Sequence, residues 1–88
     1  MSALPCLLDG EALELHAFDG KHFRLVSAVA KAPGQPLTGS AQLADRSVTL
    51  DLKSLGSVRR ADGRYDVRAR AATLHRDARD ALLAHFTR

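Results

Sequence analysis

The segment 60–86 constrains the fold more than any other, because the spacing of its apolar residues changes from two to four along its length. Apolar and charged residues alternate from position 64 to position 71, which predicts a half-buried strand with a charged outer face. Ala78, Leu82 and Phe86 then recur at every fourth residue, which predicts a helix with one apolar face. An isolated helix of this length is marginally stable in water. A terminal helix that packs over a sheet is therefore the central structural prediction.

Turn signals divide the preceding chain into further strands. Asp-Gly pairs stand at 9–10, 19–20 and 62–63, and both residue types tolerate the positive φ of a tight turn. Two prolines and a glycine at 33–36 predict a loop, since proline cannot donate to a strand ladder. Alternating apolar residues predict strands between these breaks, with Gly56 marking a bulge. The predicted strands before the final one are residues 11–17, 22–29, 37–43 and 47–52, the last resuming at 58–60.

The same alternation assigns side chains to the two faces of each strand. Leu13 and Leu15 are expected to point inward, and Ala17 with them. Gly39 is expected on an inner face, where a small residue allows another backbone or the helix to approach closely. Phe18 is expected to be exposed beside a turn. Each strand would then contribute one apolar face to a shared core.

The order of elements predicts a mainly β fold, a small five- to six-stranded antiparallel β-barrel with one C-terminal α-helix. The 88 residues are expected to form one domain, 1–88. Within it, residues 1–10 are expected to be a lead-in, where Pro5 breaks any helix, and residues 75–87 to be the helix. Thr73 and His75 are both possible N-caps of the helix, and Thr73 is the better chemical type. Because the chain has three Phe, one Tyr and no Trp, its core is expected to be mostly Leu, Val and Ala.

Cysteine usage and the first segment bear on the compartment. Cys6 is the single cysteine, which excludes an internal disulfide and fits a reducing environment. The first 20 residues hold four acidic residues and no Lys or Arg, unlike the basic start of a secretory signal peptide. No apolar stretch approaches the roughly 20 residues of a membrane-spanning helix. We therefore expect a cytoplasmic protein without a membrane span.

Positive charge is concentrated in the second half of the chain. The net charge is +3, and residues 59–79 contain seven Arg against three Asp. Such a segment attracts anionic partners, although a charged outer face is also the ordinary state of a half-exposed strand. Both interpretations are open from the sequence. The residues of this predicted basic face are Arg59, Arg60, Arg64, Arg68 and Arg70.

Three segments carry a family resemblance. Residues 32–37, APGQPL, form a proline-glycine loop into a strand, and residues 63–67, GRYDV, form a turn and the start of the last strand. Residues 74–83 follow as a helix entry. In this order they resemble the PilZ domain, a small bacterial β-barrel with a helix after its last strand. The resemblance covers about residues 13–86 and implies a signalling barrel whose ligand is cyclic di-GMP.

The PilZ family holds that ligand with an RxxxR motif before the first strand and a [D/N]xSxxG motif on neighbouring strands. Here residues 1–10 contain no arginine, and Ala17, Asp19 and His22 stand where the second motif has its polar residues and glycine. Residues 60–64, RADGR, fit RxxxR formally but lie in the last hairpin turn. The resemblance therefore implies a degenerate, non-catalytic regulatory or adaptor module that acts through protein contacts. Cyclic di-GMP binding is expected to be weak or lost, and no cofactor is expected.

No catalytic arrangement is visible in the sequence. Nucleophilic catalysis requires a nucleophile, a base and an orienting group, yet no Ser lies in a Gly-x-Ser-x-Gly turn and no glycine loop is suited to phosphate. The histidines raise a zinc site as an alternative, but no HxxxH or CxxC pattern accompanies them. We expect exposed histidines and no enzyme activity. The four histidines are His16, His22, His75 and His85.

Binding of single-stranded nucleic acid is the main alternative function. Small barrels bind single strands by stacking bases on aromatic side chains beside Lys and Arg, whereas Tyr65 near the basic face is predicted to point inward. We rank a protein partner first, bound by the line of Arg64, Arg68 and Arg70 or by an open sheet edge. The acidic first segment and the basic strand also allow a homo-oligomer.

Overall fold

The computed structural model describes residues 3–87, which form a closed antiparallel barrel of six strands followed by one helix. The elements are β1 (Leu4–Leu8), β2 (Glu11–Phe18), β3 (His22–Ser27), β4 (Pro36–Gln42), β5 (Ser47–Arg59), β6 (Tyr65–Thr73) and α1 (Arg76–Phe86). Around the barrel the order is β1-β2-β3-β6-β5-β4, and β1 pairs with β4 to close it. The predicted β-barrel with one C-terminal helix is confirmed. Because each of these strands has two neighbours, the predicted open sheet edge is wrong.

The first strand corrects the prediction that residues 1–10 are a lead-in. Leu4, Cys6 and Leu8 are buried at alternate positions of β1, so this segment contributes to the core. β1 pairs with β2 along its whole length, but with β4 only from Cys6 onward. Pro5 precedes that second ladder, a position at the start of a strand where proline is tolerated. The alternation of Leu4, Cys6 and Leu8 is visible in the sequence, and Pro5 does not interrupt the strand.

Closure of the barrel depends on Gly39 in β4. Gly39 pairs with Leu8 of β1, and a Cβ placed on Gly39 would lie 1.8 Å from the carbonyl oxygen of Leu7. No other residue type fits without moving one of the two strands. The predicted close approach of another backbone at this position is confirmed.

A β-bulge in β2 reverses two predicted orientations. The β2–β3 ladder shifts its register between Leu15 and Ala17, which leaves His16 as an extra residue. Ala17 is consequently exposed and Phe18 is buried, so the expectation of an inward Ala17 and an exposed Phe18 is wrong. Phe18 stacks on Phe23 with ring centroids 4.3 Å apart. The bulge thus places Phe18, an aromatic residue next to a turn, in the core.

The helix closes one end of the barrel. Ala78, Leu82 and Phe86 are buried, as the spacing of four predicted. The side chain of Arg79 donates to the carbonyl oxygen of Gly20, in the β2–β3 turn, at 3.3 Å. The side chain of Arg46, in the β4–β5 turn, donates to a carbonyl of the first helical turn at 3.1 Å. The helix is therefore attached to both turns that border this end.

The helix begins directly after His75, one of its two predicted N-caps. Thr73 is still paired with Asp51 in the β5–β6 ladder, so it cannot serve as the N-cap. His75 occupies the N-cap position, and its side chain makes no capping hydrogen bond. Of the two predicted N-caps, His75 is therefore the one observed, and the preference for Thr73 is wrong because the ladder of the last strand extends through Thr73.

The β3–β4 loop covers the opposite end of the barrel. The amide of Lys31 donates to Ser57 Oγ at 3.0 Å, and the Ser57 hydroxyl donates back to the Lys31 carbonyl at 3.1 Å. The Lys31 side chain is buried, and its ammonium pairs with the half-exposed carboxylate of Glu11. Gly34 donates to the Ser54 carbonyl at 2.7 Å. These bonds tie the loop to β5 and β2.

Replacing Leu82 by Ala should destabilise the protein by about 2–5 kcal/mol, because a fully buried leucine leaves a cavity. The matched control is Leu55→Ala, since Leu55 is 45% exposed and should change stability by about 0.5 kcal/mol or less. Chemical denaturation followed by circular dichroism measures both changes. Equal stabilities for the two variants would show that the helix does not dock on the barrel.

Replacing Gly39 by Ala should destabilise the barrel by at least about 1–3 kcal/mol, because the new methyl group overlaps the Leu7 carbonyl and separates β1 from β4. Ser40→Ala at the neighbouring position is the control and should remain within about 0.5 kcal/mol of the wild type. Hydrogen exchange should localise the loss of protection to β1 and β4. Unchanged protection in Gly39→Ala would contradict the closure described here.

Candidate binding surface

The outer face of β3, β6 and β5 carries two adjacent rows of basic side chains. In one row, Arg70 pairs in register with His22 on one side and with Lys53 on the other. In the next row, Arg68 pairs with Arg24. All five side chains belong to exposed residues. We call these five residues the cationic patch.

The positive charge of the cationic patch is only partly compensated. Like charges that lie directly opposite each other on an antiparallel pair destabilise a sheet. Asp66 offsets one of them, since its carboxylate lies 3.6 Å from Arg24 Nη2. Among residues 3–87, no salt bridge or side-chain hydrogen bond is formed by the three remaining permanent cations, Lys53, Arg68 and Arg70. The patch therefore retains a strong local attraction for anions.

A second β-bulge places an apolar side chain among these cations. In the β5–β6 ladder Ser54 and Gly56 pair with successive residues of β6, which leaves Leu55 as the extra residue. The sequence predicted a bulge at this glycine, and the register confirms it. Leu55 is 45% exposed. Two neighbouring depressions of about 510 and 550 Å³ are both lined by Arg24, Leu55 and Arg68. Leu55 thus lies in a shallow groove that two arginines also line.

Two of the predicted arginines belong to a different cluster around the β5–β6 turn, in which three carboxylates surround them. Arg60 Nη1 lies 3.1 Å from Asp66 and its Nε lies 3.4 Å from Asp62. Arg64 lies 3.5 Å from Asp62 and 3.5 Å from Glu14 of β2. We call these five residues the turn cluster. Its arginines have acidic neighbours of their own and are less available to a partner than the cations of the patch.

The pKa values of the turn cluster reflect this pairing. The backbone amide of Arg64 donates to Asp62 at 2.9 Å, and this bond, followed by the charge of Arg60, lowers the pKa of Asp62. The hydrogen bond to Asp66 raises the pKa of the Arg60 guanidinium. A hydrogen bond from His16, and after it the charge of Arg64, lowers the pKa of Glu14. These groups therefore keep their charges at neutral pH.

The structure divides the predicted basic face into three parts. Arg68 and Arg70 lie in the cationic patch, while Arg60 and Arg64 lie in the turn cluster. Arg59 is exposed at the end of β5, in register with Tyr65. Tyr65 is half-buried and packs against the core, as predicted.

Sequence reasoning did not assign His22, Arg24 and Lys53 to the basic surface. The alternation of β3 already placed His22 and Arg24 on its outer face. What was missing was the pairing of β3 with β6, two strands that are not joined by a hairpin. Lys53 lies in residues 53–57 of β5, between the two segments of this strand that the alternation predicts. The pairing of β3 with β6 adds His22 and Arg24 to the basic surface, and the β5–β6 register adds Lys53.

The remaining reactive groups offer little chemistry. Cys6 is buried, and desolvation raises the pKa of its thiol to about 12, so it stays protonated and unreactive. Within the part of the chain that the structure describes, no group of three or more His, Cys, Asp or Glu is placed to hold a metal ion. His16 is engaged with Glu14 at 3.1 Å.

Comparison with known proteins adds no assignment. No protein-family model, no curated protein and no solved structure matches the chain significantly. The resemblance to the PilZ domain, and the loss of cyclic di-GMP binding that it implies, therefore stay predictions from the sequence.

The length and polarity of the helix show whether it could span a membrane. Between residues 3 and 87, no helix has the length and apolar character needed to cross a lipid bilayer.

The turn cluster predicts a pH dependence of stability. Because the pKa of Asp62 is lower in the folded than in the unfolded chain, its contribution is complete above about pH 4 and is lost as the pH falls below that value. Asp62→Asn should therefore reduce the decrease in thermal midpoint between pH 5 and pH 2, which scanning calorimetry can measure.

Asp45→Asn is the control for this titration, since Asp45 is exposed in the β4–β5 turn and forms no ion pair within residues 3–87. It should retain the pH dependence of the wild type. Identical curves for Asp62→Asn and the wild type would show that the turn cluster does not contribute to acid stability.

Proposed function

We propose that this protein is a non-catalytic, PilZ-like regulatory or adaptor module that binds an acidic surface of a partner protein through the cationic patch. The observation that carries the proposal is the direct opposition of Arg24 and Arg68, next to a row in which Arg70 lies between His22 and Lys53. The resemblance to a bacterial signalling domain supports a regulatory role. The single buried cysteine fits action in the cytoplasm.

Electrostatics favours an anionic partner at this face. A strand pair gains stability from opposite charges across it and loses stability from like charges. Within residues 3–87, Asp66 beside Arg24 and Asp19 beside His22 are the only carboxylates that pair with the patch. The remaining repulsion between opposed cations costs folding free energy, and a bound anion would offset that cost. Exposed charges of this kind raise association rates and select partners by charge. The cost is easier to explain when the face binds a partner than when it only faces solvent.

Single-stranded nucleic acid is the second candidate, and the basic groove favours it. However, stacking of bases requires exposed rings beside the cations. Phe18 and Phe23 are buried against each other, and Phe86 is buried on the inner face of the helix. Tyr65 is half-buried on the inner face. Although these three Phe rings line one of the depressions beside Leu55, none of them is more than 7% exposed. The aliphatic Leu55 is far more exposed, and such a surface suits a protein better than a base.

Cyclic di-GMP is not required by this proposal. The two motifs that hold it in PilZ domains do not match this chain, and the arginines of residues 60–64 are occupied by the turn cluster. Isothermal calorimetry with cyclic di-GMP should give no micromolar binding isotherm. A clear isotherm would restore the nucleotide as ligand and would remove the adaptor proposal in its present form.

Charge reversal in the cationic patch tests the proposal. In a pull-down from bacterial lysate, Arg68→Glu combined with Arg70→Glu should reduce the capture of specific partners by on the order of tenfold or more, because two favourable charge contacts become repulsive. The matched control combines Arg59→Glu with Arg76→Glu, which gives the same change in net charge at exposed positions outside the patch. The control should retain the partners.

Stability measurements separate lost binding from lost folding. Arg68→Gln combined with Arg70→Gln should be at least as stable as the wild type at low ionic strength, because it removes opposed charges. Circular dichroism melting checks this expectation for each variant. Retention of every partner by a folded charge-reversal variant would show that the cationic patch is an ordinary solvated face. Capture of oligothymidylate that depends on Arg68 and Arg70 would favour the nucleic-acid alternative.

A further inference from the structure

We infer that the partner segment which docks on the cationic patch carries an aliphatic side chain flanked by carboxylates, with the aliphatic group packed on Leu55. This inference rests on the proposed function and names the chemistry of the ligand. Its basis is the position of Leu55 in the groove that Arg24 and Arg68 also line. This surface has an apolar centre and a charged rim, which is the arrangement found in protein–protein interfaces.

The bulge holds Leu55 in a defined position. The Ser54 side chain is buried, and its hydroxyl accepts a hydrogen bond from the Gly56 amide at 3.1 Å, across the bulge. Gly56 has a φ of 126°, a conformation that side chains rarely adopt. The local sequence Ser-Leu-Gly thus fixes an outward leucine.

The β3–β4 loop supports the bulge from its other side. The Ser54 amide donates to the Gln35 carbonyl at 2.8 Å, and its carbonyl accepts from the Gly34 amide at 2.7 Å. With both backbone groups of Ser54 engaged, Leu55 projects from a fixed base. A side chain presented in one orientation loses little conformational entropy on binding, which is the advantage of a pre-organised contact.

Charge and shape together specify the occupant. The depressions extend from Leu55 in two directions, one toward His22 and the other toward Val58, which is 72% exposed. An extended segment lying along this groove places its central side chain on Leu55 and its neighbours beside the arginines. Carboxylates at those neighbouring positions would offset the opposed positive charges. An aliphatic side chain of the partner would best cover the exposed aliphatic surface of Leu55.

The probes are two synthetic peptides, acetyl-EEDLEDE-amide and acetyl-EEDSEDE-amide, which differ only in the central residue. Each is titrated into the full chain at low ionic strength and followed by amide chemical shifts in NMR. The leucine peptide should bind on the order of fivefold more tightly than the serine peptide. Its largest shifts should lie at Leu55, Gly56 and Arg68.

A double-mutant cycle isolates the contact with Leu55. Leu55→Ser should weaken binding of the leucine peptide by on the order of fivefold and should leave binding of the serine peptide unchanged. The matched control is Leu7→Ser, which makes the same change at a residue that is 55% exposed on β1, a strand that pairs with none of β3, β6 and β5. The control should bind both peptides as the wild type does.

The outcomes distinguish this inference from the proposed function. If both peptides bind equally and Leu55→Ser has no effect, while Arg68→Glu combined with Arg70→Glu abolishes binding, the patch binds acidic proteins but the aliphatic contact is refuted. If neither peptide shifts any resonance of the patch, both ideas are overturned. Displacement of the leucine peptide by oligothymidylate at lower concentration would assign the groove to nucleic acid and would also overturn the inference.

Discussion

The contact between the Leu7 carbonyl and Gly39 is the constraint on which the rest of the structure depends. It allows β1 to approach β4 closely enough to close the sheet. A closed sheet gives every strand one inner face, and those inner faces together form a core of small aliphatic side chains with few aromatic rings. The helix then seals one end of this core and the β3–β4 loop covers the other. Without closure, the buried alternation of β1 would face solvent.

Closure also determines where charge accumulates on the outside. Because the inner faces are filled by apolar residues, the charged positions of each strand must lie on the outer surface. Where β3 and β6 pair, this requirement places Arg24 opposite Arg68 and His22 opposite Arg70. Around the β5–β6 turn the outer surface carries charges of both signs, because Arg60 and Arg64 lie beside carboxylates. Within residues 3–87 the arginines of the turn cluster thus lie beside carboxylates, whereas Lys53, Arg68 and Arg70 of the cationic patch form no ion pair.

The two β-bulges show how one extra residue changes what a strand presents. At His16 the bulge in β2 turns Phe18 into the core, where it stacks on Phe23. At Leu55 the bulge in β5 has the opposite effect and exposes a leucine among arginines. A strict alternation cannot anticipate either result, since each bulge shifts the register by one residue. A glycine marks the second bulge, whereas no glycine or proline marks the first.

The sequence alone predicted β2 to β6 and the helix, because periods of two and four in apolar residues follow directly from strand and helix geometry, but it did not lead to a prediction of β1. It also determined the hairpin turns at the Asp-Gly pairs, the bulge at Gly56 and the buried face of the helix. Only the tertiary structure decided that β3 lies beside β6, that β1 completes the barrel, and which arginines of the basic segment are paired with acids. These features depend on contacts between residues far apart in the chain. Local periodicity records which face of a strand is buried, but it carries no information about which distant strand lies next to it.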